Sequence, residues 1–191
     1  ASSHPPLVVP RELEDSLRGG TLPIHPCIRY TDRALQHFFQ SASRQPWYRN
    51  TLFVLTSDHT NMSDHDEYQT DLGVFCSPII LFDPSGELLR PAMVNAVAQQ
   101  IDIMPTVLGL LRYDEPYLAF GIDALRTPPE QTWAFSYLNG IYQLVQDGYL
   151  LQFDGERATG YYSLDDSLLQ DNRVNDDALR HGREQREALL K

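Results

Sequence analysis

No apolar run in the 191 residues approaches the roughly 20 that a membrane-crossing helix needs. No basic-then-apolar leader opens the stretch, so any anchor or export signal is expected outside it. Basic residues are scarce: 15 Lys and Arg stand against 26 Asp and Glu, a formal net charge of −11. That balance excludes a nucleic-acid surface and electrostatic docking on anionic lipid. An anionic substrate would have to draw its positive charge from a metal or from local side chains. Cysteine is limited to Cys27 and Cys76, without CxxC spacing. The two fit either a disulfide formed in an oxidising compartment or free thiols packed as small hydrophobes. Internal repeats and low-complexity tracts are absent as well. What is present, 42% hydrophobic and 21% charged residues, suits one ordinary globular domain with a core of its own.

The chain is organised around Thr51-Leu52-Phe53-Val54-Leu55-Thr56-Ser57-Asp58-His59. Its nearly continuous apolar opening predicts a strand covered on both faces. It ends in a carboxylate and an imidazole, at the edge where open α/β sheets place their functional crevice. Asp58 and His59 are therefore candidate metal ligands, with a donor set suited to Zn²⁺ or Mn²⁺. Taken alone, the dipeptide reads better as a solvated strand-to-loop turn, because Asp is common where strands end.

Upstream, prolines and the Gly19-Gly20 pair predict a largely irregular segment over residues 5–26. A helix follows from about Pro26 to Ser43, with Ile28, Thr31, Ala34, Leu35, Phe38, Phe39 and Ala42 as its apolar stripe. After His59 comes a polar loop containing Asp64, His65, Asp66 and Glu67, which reads as solvated acidic surface. A second strand is expected at about Val74–Phe82, closed by the turn Asp83-Pro84-Ser85-Gly86. A helix-like stretch begins near Val94, and Asp102 is placed to cap a short helix over Ile103–Leu111. Strand, crossover helix and strand imply a parallel sheet with helices outside. The last third differs. Asn139-Gly140, Asp147-Gly148 and Asp154-Gly155 separate four short strands, Trp133–Leu138, Ile141–Gln146, Tyr149–Phe153 and Ala158–Leu164, in an antiparallel meander. A charged helix over about Asp176–Lys191 ends the chain, with Leu179, Ala188 and Leu189 as its sparse apolar contacts.

Ser3-His4-Pro5, Tyr30-Thr31-Asp32, Thr56-Ser57-Asp58-His59 and Gln100-Ile101-Asp102-Ile103-Met104-Pro105-Thr106 are individually weak words. In this order they resemble the sulfatase / alkaline phosphatase superfamily, and most of all its lipoteichoic-acid-synthase-like (phosphoglycerol transferase) branch. The resemblance implies an α/β fold: an alkaline-phosphatase-like sheet with flanking helices, incomplete here, then a small antiparallel β meander and a C-terminal helix. Residues 1–130 would be the α/β portion, 131–170 the antiparallel strands and 171–191 the charged helix, together the C-terminal part of one catalytic domain.

The same resemblance implies a metal-dependent enzyme that cleaves or transfers phosphate or sulfate esters, on substrates that include lipid-linked and glycan ones. Asp58 and His59 map onto metal ligands and His4 onto a histidine that contacts the substrate head group. The ion would be Mn²⁺ or Zn²⁺, with Mg²⁺ or Ca²⁺ as further candidates. Relatives act outside the cytoplasm, often on N-terminal membrane anchors. Asp102 reads as a structural cap, and Thr31 and Asp32 as helix-surface or packing groups. His25, His37 and His181 have no supporting context. Thr60 stands where many relatives have Gly, and the continuation after Asp58-His59 favours the phosphoglycerol-transferase-like branch over phosphoethanolamine transfer. No Thr, Ser or Cys sits in a matching nucleophile context. The expectation is therefore a C-terminal fragment, inactive alone, whose nucleophile lies upstream. The competing class is a binding or sensing module that keeps the fold without the chemistry. Uncovered sheet edges would let the fragment self-associate.

Overall fold

Between Pro10 and Gly19, where an irregular segment is expected, the chain winds into a 3-10 turn at Arg11–Leu13 and a short helix α1 (Glu14–Leu17). Acidic Glu12, Glu14 and Asp15 fall in these first turns, where a negative charge is favourable, and Leu17 is buried. The computed structural model describes residues 3–191. Ala1 and Ser2 lie outside them.

The stripe expected upstream of the strand forms helix α2 (His25–Ala42), with a proline in its first turn and Cys27 and Ala42 buried. Its far end meets the organising strand β1 (Phe53–Thr56) through aromatic edges. Phe39 lies 5.1 Å and Phe38 6.1 Å from the Phe53 ring, and Tyr48 adds a third contact at 5.6 Å. Such edge-to-face pairs each contribute about 0.5–1.5 kcal/mol beyond their burial. Much of the stripe stays open, however, with Ile28, Leu35 and Phe38 exposed.

Strand β2 (Ile79–Phe82) pairs with β1 antiparallel, from Phe53↔Phe82 to Thr56↔Ile79. This corrects the parallel pairing expected from the order of elements. A parallel neighbour needs a crossover long enough to return to the same end of the sheet, usually a helix. Residues 57–78 supply only two 3-10 turns, Asp66–Gln69 and Gly73–Phe75, and the chain simply folds back. Nor is β1 covered on both faces: Val54 on one face and Ile80 on the other are 38% and 52% exposed.

Asp83 closes β2, accepting from the Ser85 hydroxyl (2.6 Å) and from the backbone N–H groups of Ser85, Leu88 and Leu89. These donors, the Ser85 hydroxyl foremost, hold its carboxyl well below the usual carboxylate range. The helix expected from Val94 does not form. The Val97 N–H donates instead to the buried Thr132 hydroxyl at 3.0 Å, which ties this segment down in a non-helical course. A 3-10 turn at Gln100–Asp102 then runs straight into helix α3 (Ile103–Leu110).

The meander forms as expected: β3 (Trp133–Leu138), β4 (Ile141–Gln146), β5 (Tyr149–Phe153) and β6 (Ala158–Ser163), antiparallel and in sequence order. Asn139-Gly140 and Asp147-Gly148 each place both central residues at positive φ, the geometry that a two-residue hairpin loop requires. Leu144, Val145, Leu150, Leu151, Phe153 and Tyr161 form its buried core. Asp176 caps the C-terminal turn through the Ala178 N–H (2.9 Å), and helix α4 (Arg180–Leu190) follows. Its main anchor is not among the expected apolar residues, since Leu189 is exposed. Buried Arg186 donates to the carbonyls of Gln146 and Gly182 and lies over the stacked rings of Tyr149 and Tyr161, at 5.6 and 5.9 Å. The guanidinium meets aromatic faces and fixed carbonyls at once, which an aliphatic side chain there would not do. Among the described residues, no helix is long and apolar enough to cross a membrane.

Candidate functional site

Asp58 and His59 leave the C-terminal end of β1 as the chain turns into the loop. Asp58 Oδ1 accepts the His59 backbone N–H at 3.0 Å. His59 Nδ1 lies 2.6 Å from the carbonyl oxygen of Thr60, which can only accept, so Nδ1 carries the proton. In the neutral ring the lone pair is then on Nε2, which sits 3.6 Å from Asp58 Oδ2. Two acceptors facing each other at this distance make no hydrogen bond. Ligands about 2.1 Å from a shared tetrahedral cation stand about 3.4 Å apart, so the donor set and its spacing fit one divalent ion. The imidazole's other nitrogen is fixed by a backbone carbonyl, the usual support of a ligating histidine.

Both side chains are open to solvent, Asp58 at 89% and His59 at 62%. Among the described residues, no group of three or more His, Cys, Asp or Glu is placed to hold a metal. Two donors alone do not complete the coordination shell of such an ion. An open cleft of about 510 Å³ lies elsewhere, lined by residues such as Val97, Glu130, Asp147 and Leu164.

The expected substrate-contacting residue, His4, is exposed and belongs to a segment tied to the same loop. Asn61, two residues beyond His59, donates its side-chain amide to the Ser3 carbonyl at 3.4 Å. The loop is also held from the other side, where the Thr60 hydroxyl donates to the Val74 carbonyl. Ser3 is thereby tied to the loop two residues beyond His59, and His4 follows Ser3 in the chain.

The acidic loop is solvated, as expected, but better connected. Thr21 donates its hydroxyl to Asp64, which lowers the Asp64 carboxyl, with smaller contributions from His25 and His65. His25 Nδ1 accepts the backbone N–H groups of Thr21 and Leu22, so His25 shapes the loop that reaches Asp64. Thr31 donates back to the Cys27 carbonyl inside α2, Asp32 and His37 are exposed on that helix, and His181 is exposed on α4. The cysteines are free thiols, Cys27 buried and Cys76 exposed.

Asp102 is structural, through a different bond from a forward helix cap. It is 1% exposed and accepts the N–H groups of Ile122 (2.8 Å) and Gln99 (2.9 Å), the latter completing a capping box. Thr106 accepts the Ala124 N–H in the same contact. Gly121 is required there because a Cβ would lie 2.3 Å from the Ile101 carbonyl oxygen. The side chain of Gln99 serves β3 as a peptide group would, donating to the Trp133 carbonyl and accepting from the Phe135 N–H. That of Gln100 reaches the other way, to the carbonyls of Ser57 and Asp58. Sequence reasoning assigned nothing to either glutamine. The only signal was that Gln100 opens the word ending at Thr106, with Gln99 just before it.

Comparisons with known proteins bear on the whole arrangement. The Sulfatase family model matches residues 3–113. Over 118 residues, 53% of its length, the chain is 29% identical to the lipoteichoic acid synthase-like YvgJ of Bacillus subtilis (strain 168). It shares its fold with the crystal structure of a protein in the alkaline phosphatase superfamily from Vibrio parahaemolyticus, at a TM-score of 0.73 and 19% identity over 98% of its residues. The chain spans 19% of the Bacillus protein and 48% of the Vibrio one.

Proposed function

Since the chain belongs to the sulfatase family, we propose that it supplies part of a metal-dependent site that cleaves or transfers phosphate or sulfate esters. The observation that carries this reading is the Asp58–His59 pair, two acceptors turned toward each other at 3.6 Å with the imidazole proton held on the far nitrogen. Asp58 and His59 are two ligands of a divalent ion, Mn²⁺ or Zn²⁺ by their oxygen and nitrogen donors. When bound, such an ion lowers the pKa of a nucleophile and neutralises charge that builds on the ester oxygens.

The residues of this chain then divide the remaining work. The Thr60 carbonyl holds the His59 tautomer, and the His59 N–H holds one oxygen of Asp58, leaving Oδ2 and Nε2 for the metal. His4 donates to an anionic ester oxygen from the tethered segment beside the loop. The nucleophile and the remaining ligands come from residues outside this chain, so this piece alone is inactive. The likeness to the Bacillus protein favours a phosphoglycerol-type phosphodiester over a sulfate ester and an extracytoplasmic setting on a membrane-anchored parent.

Calorimetric titration of Mn²⁺ and of Zn²⁺ into this protein and its Asp58→Ala variant tests the site. Binding by the parent and none by the variant is expected. Equal binding by both sinks the assignment. If the parent binds neither ion and the longer protein cleaves no phosphate or sulfate ester, the alternative of a binding or sensing module takes its place.

A further inference from the structure

We infer that Gln100 is a positioning residue for the Asp58–His59 pair, an inference that rests on the metal-ligand reading above. Its side-chain amide Nε2 donates to the carbonyl oxygens of Ser57 at 2.5 Å and Asp58 at 3.1 Å. These two carbonyls belong to the consecutive peptide planes on either side of the Asp58 Cα. Each plane is rigid, so holding both sets the two soft dihedrals of Asp58 and with them the direction of its side chain. The second plane also carries the His59 N–H that holds Asp58 Oδ1. One donor group thus bonds both planes that flank Asp58, the second of which leads into His59.

The clamp is anchored on its own side. Gln100 opens the 3-10 turn whose buried Asp102 is fixed by Ile122 and Gln99, while the Gln99 side chain grips the backbone of β3. The adjacent glutamines point opposite ways, one into the meander and one onto the strand end. The Thr56 hydroxyl also donates to the Ser57 carbonyl, at 3.2 Å, so that plane has a second, local support. The Thr60 contact to Val74 and the Asn61 contact to Ser3 hold the loop after the pair, which leaves Gln100 as the group that bonds the carbonyls on both sides of Asp58.

The test compares the parent with Gln100→Ala, which removes the donor, and Gln100→Glu, which keeps the shape and turns acceptors toward the carbonyls. Asp58→Ala is the reference for a lost ligand. Calorimetry with Mn²⁺, hydrogen exchange of the metal-free amides of residues 57–60, and urea unfolding are measured on all four. Both Gln100 variants should lose about tenfold or more in Mn²⁺ affinity, as removal of an outer-sphere support does. Their amide exchange at 57–60 should rise about tenfold, with the urea midpoint unchanged. Parent-like affinity in both Gln100 variants, with none in Asp58→Ala, overturns the positioning role and leaves the metal pair standing. Parent-like affinity in Gln100→Glu alone overturns it too, because filling space would then suffice. Undiminished binding by Asp58→Ala overturns the metal reading and this inference with it, and no binding by the parent overturns this inference, since there is then no bound ion for Gln100 to support.

Discussion

Replacing Asp102 by Ala should unfold this protein far more easily without touching any reacting group. The carboxylate is 1% exposed and accepts two backbone N–H groups, from Ile122 at 2.8 Å and Gln99 at 2.9 Å. Alanine leaves both donors buried and without a partner, each at about 1–3 kcal/mol. The loop at Gly121 is already in van der Waals contact with Ile101 and Asp102, which leaves little room to relax inward. The expected loss is about 3–5 kcal/mol, a large share of the roughly 5–15 kcal/mol that stabilises a typical domain. At a urea slope of roughly 2 kcal/mol/M, the midpoint should fall by about 2 M. Asn, which keeps one acceptor and turns its NH₂ against the other N–H, should fall by about half as much. The assay is urea unfolding followed by tryptophan fluorescence, since Trp133 sits beside Gln99 in the same network. A parent-like midpoint in Asp102→Ala would refute the structural reading. If Mn²⁺ binding were lost with that midpoint intact, Asp102 would have to act at the Asp58–His59 pair.

Three further outcomes can be checked directly. Arg186→Met should cost about 2–4 kcal/mol, because it removes charge-assisted bonds to the Gln146 and Gly182 carbonyls and the contact with Tyr149 and Tyr161. Thermal unfolding reads this, and an unchanged midpoint would show that α4 does not depend on its guanidinium. The folded Asp83 carboxyl titrates below its unfolded value of about 3.9, so its contribution is present above about pH 4 and lost as the pH falls further. Asp83→Asn should therefore be less stable near pH 6 and show a flatter decline in stability below pH 4. A parallel decline in both proteins would contradict this. This chain by itself should self-associate through its open β1–β2 sheet, and Ile80→Lys should weaken that association in light scattering. A monomer before the substitution would count against it.

Where the sequence carried its own local instructions, they were legible. The Asn-Gly and Asp-Gly pairs located the first two meander hairpins because positive φ at two consecutive residues is a local demand that few residue types meet. Pro26 and the stripe through Phe39 located α2 within one residue at each end. Asp58 and His59 stood out because the apolar run stops at them, and their mutual geometry follows from adjacent residues: the His59 N–H to Asp58 and the Nδ1–H to Thr60.

What tertiary structure alone decided involves partners distant in sequence. The antiparallel pairing of β1 with β2 joins residues on either side of the long loop over residues 57–78, and no local pattern encodes which way that loop returns. The segment from Val94 has the composition of a helix but is captured by Thr132, 35 residues on. Arg186 reads as surface charge on a polar helix and is buried because two stacked tyrosines and the Gln146 carbonyl wait beneath it. Gln100 looks like any exposed glutamine until the fold brings it within hydrogen-bond reach of carbonyls more than 40 positions earlier. Sequence by itself determined the elements whose φ angles and periodicity are set within a few residues. The fold decided which of them touch, because a hydrogen bond between distant residues forms only after the chain between them has closed, and that closure depends on the whole core rather than on either end.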